Sequence, residues 1–234
     1  MEPGVKFIGV YGPVVLLIAL AVTFFGSLAV AASSFPDGYD WRYKVMSSLA
    51  SPRENPQAYR IAAGGMAASG VFLALLGLCI RTSLEGVAPS KWTNAACLFF
   101  VIGGLLITIS ALITPGHHEF LGLEKAHAKF AQAGTLSFNL GMALTLPALL
   151  ALSASKKRVR IVSIFLVVMP ATLFLLARIL LPTMVSPDSL KTAVHPPLLG
   201  SLAFWEWMGS VTVCLYTGTI VLALGSNPSS KPSP

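Results

Sequence analysis

Residues 114–130 read TPGHHEFLGLEKAHAKF and hold three of the chain's four histidines, His117, His118 and His127, together with Glu119 and Glu124. Imidazoles and carboxylates this close could bind a metal or pass protons. Zinc takes three or four N, O or S ligands. His117, His118, Glu119 and His127 could supply them, joined by His195 or Asp188 from the next polar segment. Glu124 and His127 also form an E-x-x-H pair, but di-iron bundles use that pair twice, with two further glutamates. The H-E-x-x-H pattern is absent. Haem is a weaker reading than zinc, because all four histidines fall toward one face and a haem chain across a bilayer needs ligands at both depths. A serine mechanism would use Ser47 or Ser48 as nucleophile, a histidine such as His127 as base and Asp40 or Asp37 as the orienting group. No G-x-S-x-G frame surrounds either serine. The plainest alternative is a polar loop between two membrane helices whose histidines do no chemistry.

The elements that must position these residues are apolar. Of 234 residues 55% are hydrophobic and 11% charged, where a soluble domain carries about 25% charged residues. Six runs account for this, at about 7–32, 58–80, 93–114, 126–152, 159–181 and 199–224. Each matches the roughly 20 apolar residues that cross a bilayer's hydrocarbon core. Inside lipid the backbone must satisfy itself, so the runs are expected to be helices. The ten-residue alternating segments of a β-barrel are not seen. The expected fold is all-α: a polytopic six-transmembrane-helix bundle over 1–224, with a Pro/Ser-rich tail at 225–234 expected to be disordered. Ala29-Val30-Ala31 resembles a signal-peptide cleavage site, but the run is long and MEPGVK has a single lysine balanced by Glu2. A retained helix is the expectation. The three cysteines, Cys79, Cys97 and Cys214, all lie in apolar runs and show no metal-ligand spacing.

Charge sets the expected orientation. With six spans, Lys6, Arg81, Lys91, Lys156, Lys157, Arg158, Arg160 and Lys231 share a side with only Glu2 and Glu85. The other side mixes its cations with seven of the nine carboxylates. The positive-inside rule then puts both termini in the cytoplasm of a cell (inner or plasma) membrane. All four histidines face the outer side. The net charge of +7 is no sign of nucleic acid, since the 156–160 cluster is a topology signal without a basic–aromatic surface.

Some polar residues sit inside the runs. Lys125, Lys129, Gln132 and Asn139 share one helical face of the fourth run. Such a stripe is expected to face the bundle interior, a wet cavity or a hydrogen-bonded neighbour helix. Glu206 in the sixth run and Arg178 in the fifth are each costly alone in lipid, so an Arg178–Glu206 ion pair is expected, with snorkelling to the surface as the alternative. The first outer loop carries the turn Pro36-Asp37-Gly38, then Tyr39, Trp41 and Tyr43 among charges. It reads as an interfacial segment with a short helix, either an aromatic belt or a lid over a lipid-accessible cavity. Gly64, Gly65, Ala68 and Gly103-Gly104 would allow close helix packing.

Three stretches carry a resemblance. Ser47-Ser48-Leu49-Ala50 leads through Asn55 to a Gly-rich second span, Thr114-Pro115-Gly116 precedes His127-Ala128-Lys129-Phe130-Ala131, and Glu206 opens the sixth span. Together they resemble a prokaryotic six-transmembrane family of unknown function, domain-of-unknown-function family 998, itself distantly similar to the Frag/DRAM/Sfk group. Ala50 stands where that family has glycine. The resemblance implies six helices and singles out Ser47 and His127, but it implies no activity. The functional expectation is a lipid-handling or lipid-modifying membrane protein with a polar site at the outer leaflet. The alternatives are a non-catalytic accessory or scaffold subunit of a larger membrane complex, or a small-solute transporter. Membrane lipids, and other membrane subunits, are the expected partners.

Overall fold

The structure, a computed structural model, describes residues 3–84, 89–113, 119–120, 123–152, 161–168, 198 and 201–225. In chain order its elements are α1 (Pro3–Ser33), α2 (Met46–Leu49), α3 (Tyr59–Leu84), α4 (Ser90–Leu112), β1 (Glu119–Phe120), β2 (Leu123–Glu124), α5 (Ala126–Leu152) and α6 (Leu202–Gly225). A further helical stretch covers 161–168. Among the described residues the fold is all-α apart from the two-residue antiparallel pair β1–β2.

Four of the described helices, α1, α3, α4 and α5, are long and apolar enough to cross a membrane. They coincide within a few residues with the runs expected at 7–32, 58–80, 93–114 and 126–152. The fifth expected run is described only at 161–168. α6 covers the sixth, with Glu206, Ser210, Thr212, Thr217 and Thr219 along it, and it is not among the four. Of the tail only Gly225 is described.

The four long helices form a folded sheet of helices. α1 lies on α3, α3 on α4 and α4 on α5, while α6 touches α1, α3 and α5. Glycines set the spacing. A Cβ on Gly70 would lie 2.5 Å from the Gly104 carbonyl oxygen of the facing helix, and one on Gly104 would fall on the Gly70 carbonyl. Gly103 and Gly134 meet in the same way, with the Gly103 Cβ position 3.1 Å from the Gly134 carbonyl oxygen. Gly65 makes room for Ser27 of α1. Gly64, by contrast, has nothing near its Cβ position and is exposed, so it spaces no described helix.

Buried hydroxyls bond back into their own helices, which removes their cost in an apolar setting. Thr145 does so to Gly141 and Met142, and Thr108 reaches both Gly104 and, across to α3, the Ala67 carbonyl at 3.1 Å. The main core gathers Leu20, Leu73, Leu76, Phe100, Phe138, Met142, Leu149, Tyr216 and Ile220 from the four long helices and α6. Tyr216 fastens α6 to α5, its hydroxyl donating to the Met142 carbonyl at 2.8 Å.

A second cluster covers one end of the bundle. Leu28, Ala31 and Phe35 pack on Met46, Leu49 and Ala50 and on Ala58, Ala62 and Ala63. The 34–58 connection is therefore a folded cap. Its entry is a turn in which the Gly38 N–H donates to the Phe35 carbonyl, with Pro36 second and Asp37 third at φ 58°. A proline at the second position and a left-handed third residue is the type II pattern, and aspartate tolerates that conformation better than most side chains.

Candidate functional site

Two polar places lie in the described structure, and they share no residue. The first is the corner between α4 and α5. His127 opens α5 with its ring turned onto the end of α4. Nδ1 lies 2.7 Å from the Ser110 carbonyl oxygen and 3.0 Å from that of Ile113. Both are acceptors, so Nδ1 carries the proton, and the ring holds the last turn of α4 by carbonyls that have no helical partner among the described residues. The Ser110 hydroxyl returns the bond, donating to the His127 carbonyl at 2.9 Å. This fixes the orientation of the ring and keeps a proton on Nδ1. Fixing Nδ1–H on a carbonyl is also how proteins orient a metal-binding imidazole.

The rest of the proposed ligand set cannot be placed beside it. His117, His118 and His195 lie outside the described residues, as does Asp188. β1–β2 puts Glu119 opposite Glu124 in register. Among the described residues no three His, Cys, Asp or Glu side chains gather as metal ligands.

The second place is the junction of the cap with α6. α2 is a single turn, and nothing in its own sequence caps it: Val45 precedes it and offers no side-chain oxygen. The acceptor comes instead from 160 residues away. Glu206 Oε2 accepts the Met46 N–H at 2.6 Å, and the same carboxylate accepts the Ser47 N–H. A carboxylate at the first N–H groups of a helix is the favourable sign for both hydrogen bonding and the backbone dipole. Glu206 thus has its partners in α2. The expected partner Arg178 lies outside the described residues.

Other bonds close the same junction. The Trp207 indole N–H donates to the Tyr39 hydroxyl at 3.3 Å, and that hydroxyl donates to the Lys44 carbonyl at 2.9 Å. Trp207 also stacks on Phe25 of α1. The Ser201 hydroxyl donates to the Arg42 carbonyl. Burial pushes the Tyr39 phenol up to about 12, from an ordinary 10.0, so it remains a neutral donor at any physiological pH. On the other flank Asn55 is wholly buried and ties three pieces together. Its side-chain Nδ2 donates to the Ala31 carbonyl at 2.9 Å and the Leu49 carbonyl at 3.2 Å, its main-chain carbonyl accepts the Tyr59 N–H at the start of α3, and its Oδ1 is buried with no partner among the described residues.

Ser47, Asp40 and His127 are therefore engaged separately. Ser47 lends its backbone to Glu206. Asp40 is half-exposed and holds Arg42 in a two-bond pair at 2.9 Å for each bond. His127 is committed to α4. No hydrogen bond joins any two of the three. Gln132 and Asn139 are on the exposed face of α5 rather than turned into the described bundle.

Sequence reasoning missed Asn55 as the knot of the cap and the α2 backbone as the partner of Glu206. A run of one-turn length, Met46–Leu49, with no local cap was the available signal that a distant acceptor must exist. No family model matches the chain, and neither a curated protein nor a solved structure matches it.

Proposed function

We propose that the chain is a multi-pass membrane protein that binds lipids at the outer leaflet through its cap. The reading includes six crossings with both termini cytoplasmic, as the charge distribution argues, and it rests on one structural feature. The 34–58 segment is a folded element tied down at Glu206, Trp207 and Asn55, and it carries an exposed face of Trp41, Arg42 and Arg53. An indole beside two guanidinium groups suits the depth of phospholipid headgroups. The Arg42–Asp40 pair is solvent-exposed and so worth little in water, which leaves the guanidinium available to a phosphate. The three residues named for serine chemistry are engaged with different partners, so the geometry favours lipid binding over lipid cleavage.

The test is lipid retention. Protein extracted in mild detergent from mixed phosphatidylglycerol and phosphatidylcholine membranes is analysed by native mass spectrometry, beside a Trp41→Ala, Arg42→Gln, Arg53→Gln variant. The wild-type chain should keep anionic lipid in several-fold excess over the variant. Equal retention by both, or no preference for the anionic lipid, removes the proposal.

The alternative of an accessory subunit also has one observation in its favour, the polar outward face of α5.

A further inference from the structure

Three of the membrane-length helices show only apolar side chains outward along their middles. These are Val14, Val15, Ile18 and Val22 on α1, Val71, Leu75 and Leu78 on α3, and Leu98, Ile102, Leu105 and Ile109 on α4. α5 differs. Its exposed face carries Lys129, Gln132, Thr135 and Asn139 beside Leu136 and Leu140, then Ala143 and Pro147. Asn139 lies about 20 Å along a span of about 36 Å, at 1.5 Å per residue, so its carboxamide is near mid-bilayer.

Local bonds satisfy only part of this face. The Thr135 hydroxyl donates to the Ala131 carbonyl, and Asn139 donates one amide hydrogen to the Thr135 carbonyl, each at 2.9 Å. Among the described residues nothing bonds the Asn139 Oδ1 or the Gln132 carboxamide. Pro147 adds to the deficit. It lacks the N–H that would pair with the Ala143 carbonyl, on the same face. Carboxamides facing hydrocarbon lose water and gain nothing in return.

We propose that α5 is the contact face of a homodimer, with Gln132 and Asn139 of each copy pairing with the same residues of the other. A carboxamide donates and accepts at once, so two identical faces satisfy each other across a two-fold axis. Two copies inserted alike place those groups at the same depth. The neighbours Ala128 and Ala143 are small enough to let the backbones approach. Lys129 is near the capped end of α5, where its ammonium reaches headgroups and water instead of its own copy. This inference is independent of lipid binding by the cap.

Subunit counting by photobleaching in dilute liposomes tests it. Wild-type protein should bleach in two steps. Gln132→Leu/Asn139→Leu should weaken pairing by about tenfold, as expected for interhelical polar contacts. Ala143→Trp should act likewise by wedging the faces apart, while Leu105→Trp, on the exposed face of α4, should leave pairing intact. All four positions are exposed, and unchanged thermal unfolding of each variant confirms the fold. Single-step bleaching of wild-type protein at every density overturns the proposal. So does pairing that survives the α5 changes, or a different chain bound at α5 in place of a second copy.

Discussion

The wall of the helix sheet and its cap are held by different physics. From Gly70 and Gly104 to Gly103 and Gly134, the α3–α4–α5 wall is held by backbones in near contact. The cap is held by single polar side chains, Glu206, Asn55, Tyr39 and Trp207, each reaching across to another element. Dispersion in the wall is spread over many small contacts and does not depend on any one group. The cap depends on a handful of bonds, each worth about 0.5–1.5 kcal/mol, or about 1.5–3 when one partner is charged. The wall should therefore fail through sterics and as a whole, and the cap through chemistry and locally.

The largest effect is expected in the wall. Gly104→Ala puts a methyl against the Gly70 backbone, which has no flexible end that can yield. The helices must part, and the cost is about 3 kcal/mol, the upper range for overpacking. Thermal unfolding in detergent should show one cooperative loss of stability. Gly64→Ala is the control, since its Cβ meets nothing, and it should be neutral or slightly stabilising. Equal effects at the two glycines would break the contrast between the wall and its surroundings.

The sequence disclosed these regions unequally. The long helices are set by composition: runs of some twenty apolar residues have one stable backbone arrangement in lipid. Their boundaries followed, and so did the closeness allowed by Gly103-Gly104. The cap's bonds did not, because they join residues such as Met46 and Glu206 that no local pattern relates. Glu206 was visible as a charge in need of a partner. Its nearest conspicuous cation, Arg178, suggested an ion pair, while a pair of backbone N–H groups leaves no signature in side-chain types. His127 was legible as a residue of interest but not as the ring that closes α4, for the same reason. The face of α5 was legible as a stripe, since helical period alone fixes it. The side it turns outward is a property of the packing.

Glu206 gives the second test of the comparison. Glu206→Ala leaves the Met46 and Ser47 N–H groups without their acceptor and should ease cap opening by about 2 kcal/mol. Glu206→Gln keeps one acceptor oxygen but turns an NH2 toward the other N–H, so it should fall between alanine and wild type. Hydrogen exchange at Met46–Leu49 should quicken in that order, with amides in the middle of α4 unchanged. Exchange that rises equally in α4 would mean that the cap and the wall unfold as one unit.

The smallest expected effect is the sharpest, because it is confined to one hydroxyl and one range of pH. The folded cap holds the Tyr39 proton more tightly than the unfolded chain does, since burial raises the phenol from 10.0 to about 12. By linkage its contribution is whole below pH 10 and is lost as pH climbs toward 12. Trypsin cutting at Arg42 or Arg53, both exposed, reports opening of the cap. In wild-type protein the opening derived from cutting rates, corrected for the protease's own pH dependence, should accelerate between pH 10 and 12. Tyr39→Phe forfeits the bonds to Lys44 and Trp207, so it should open more readily at neutral pH by about 1 kcal/mol. It should also lose the alkaline inflection. An inflection that persists in Tyr39→Phe would remove Tyr39 as the source of the alkaline opening, and the Trp207–Tyr39–Lys44 chain would then be packing without a titrating member.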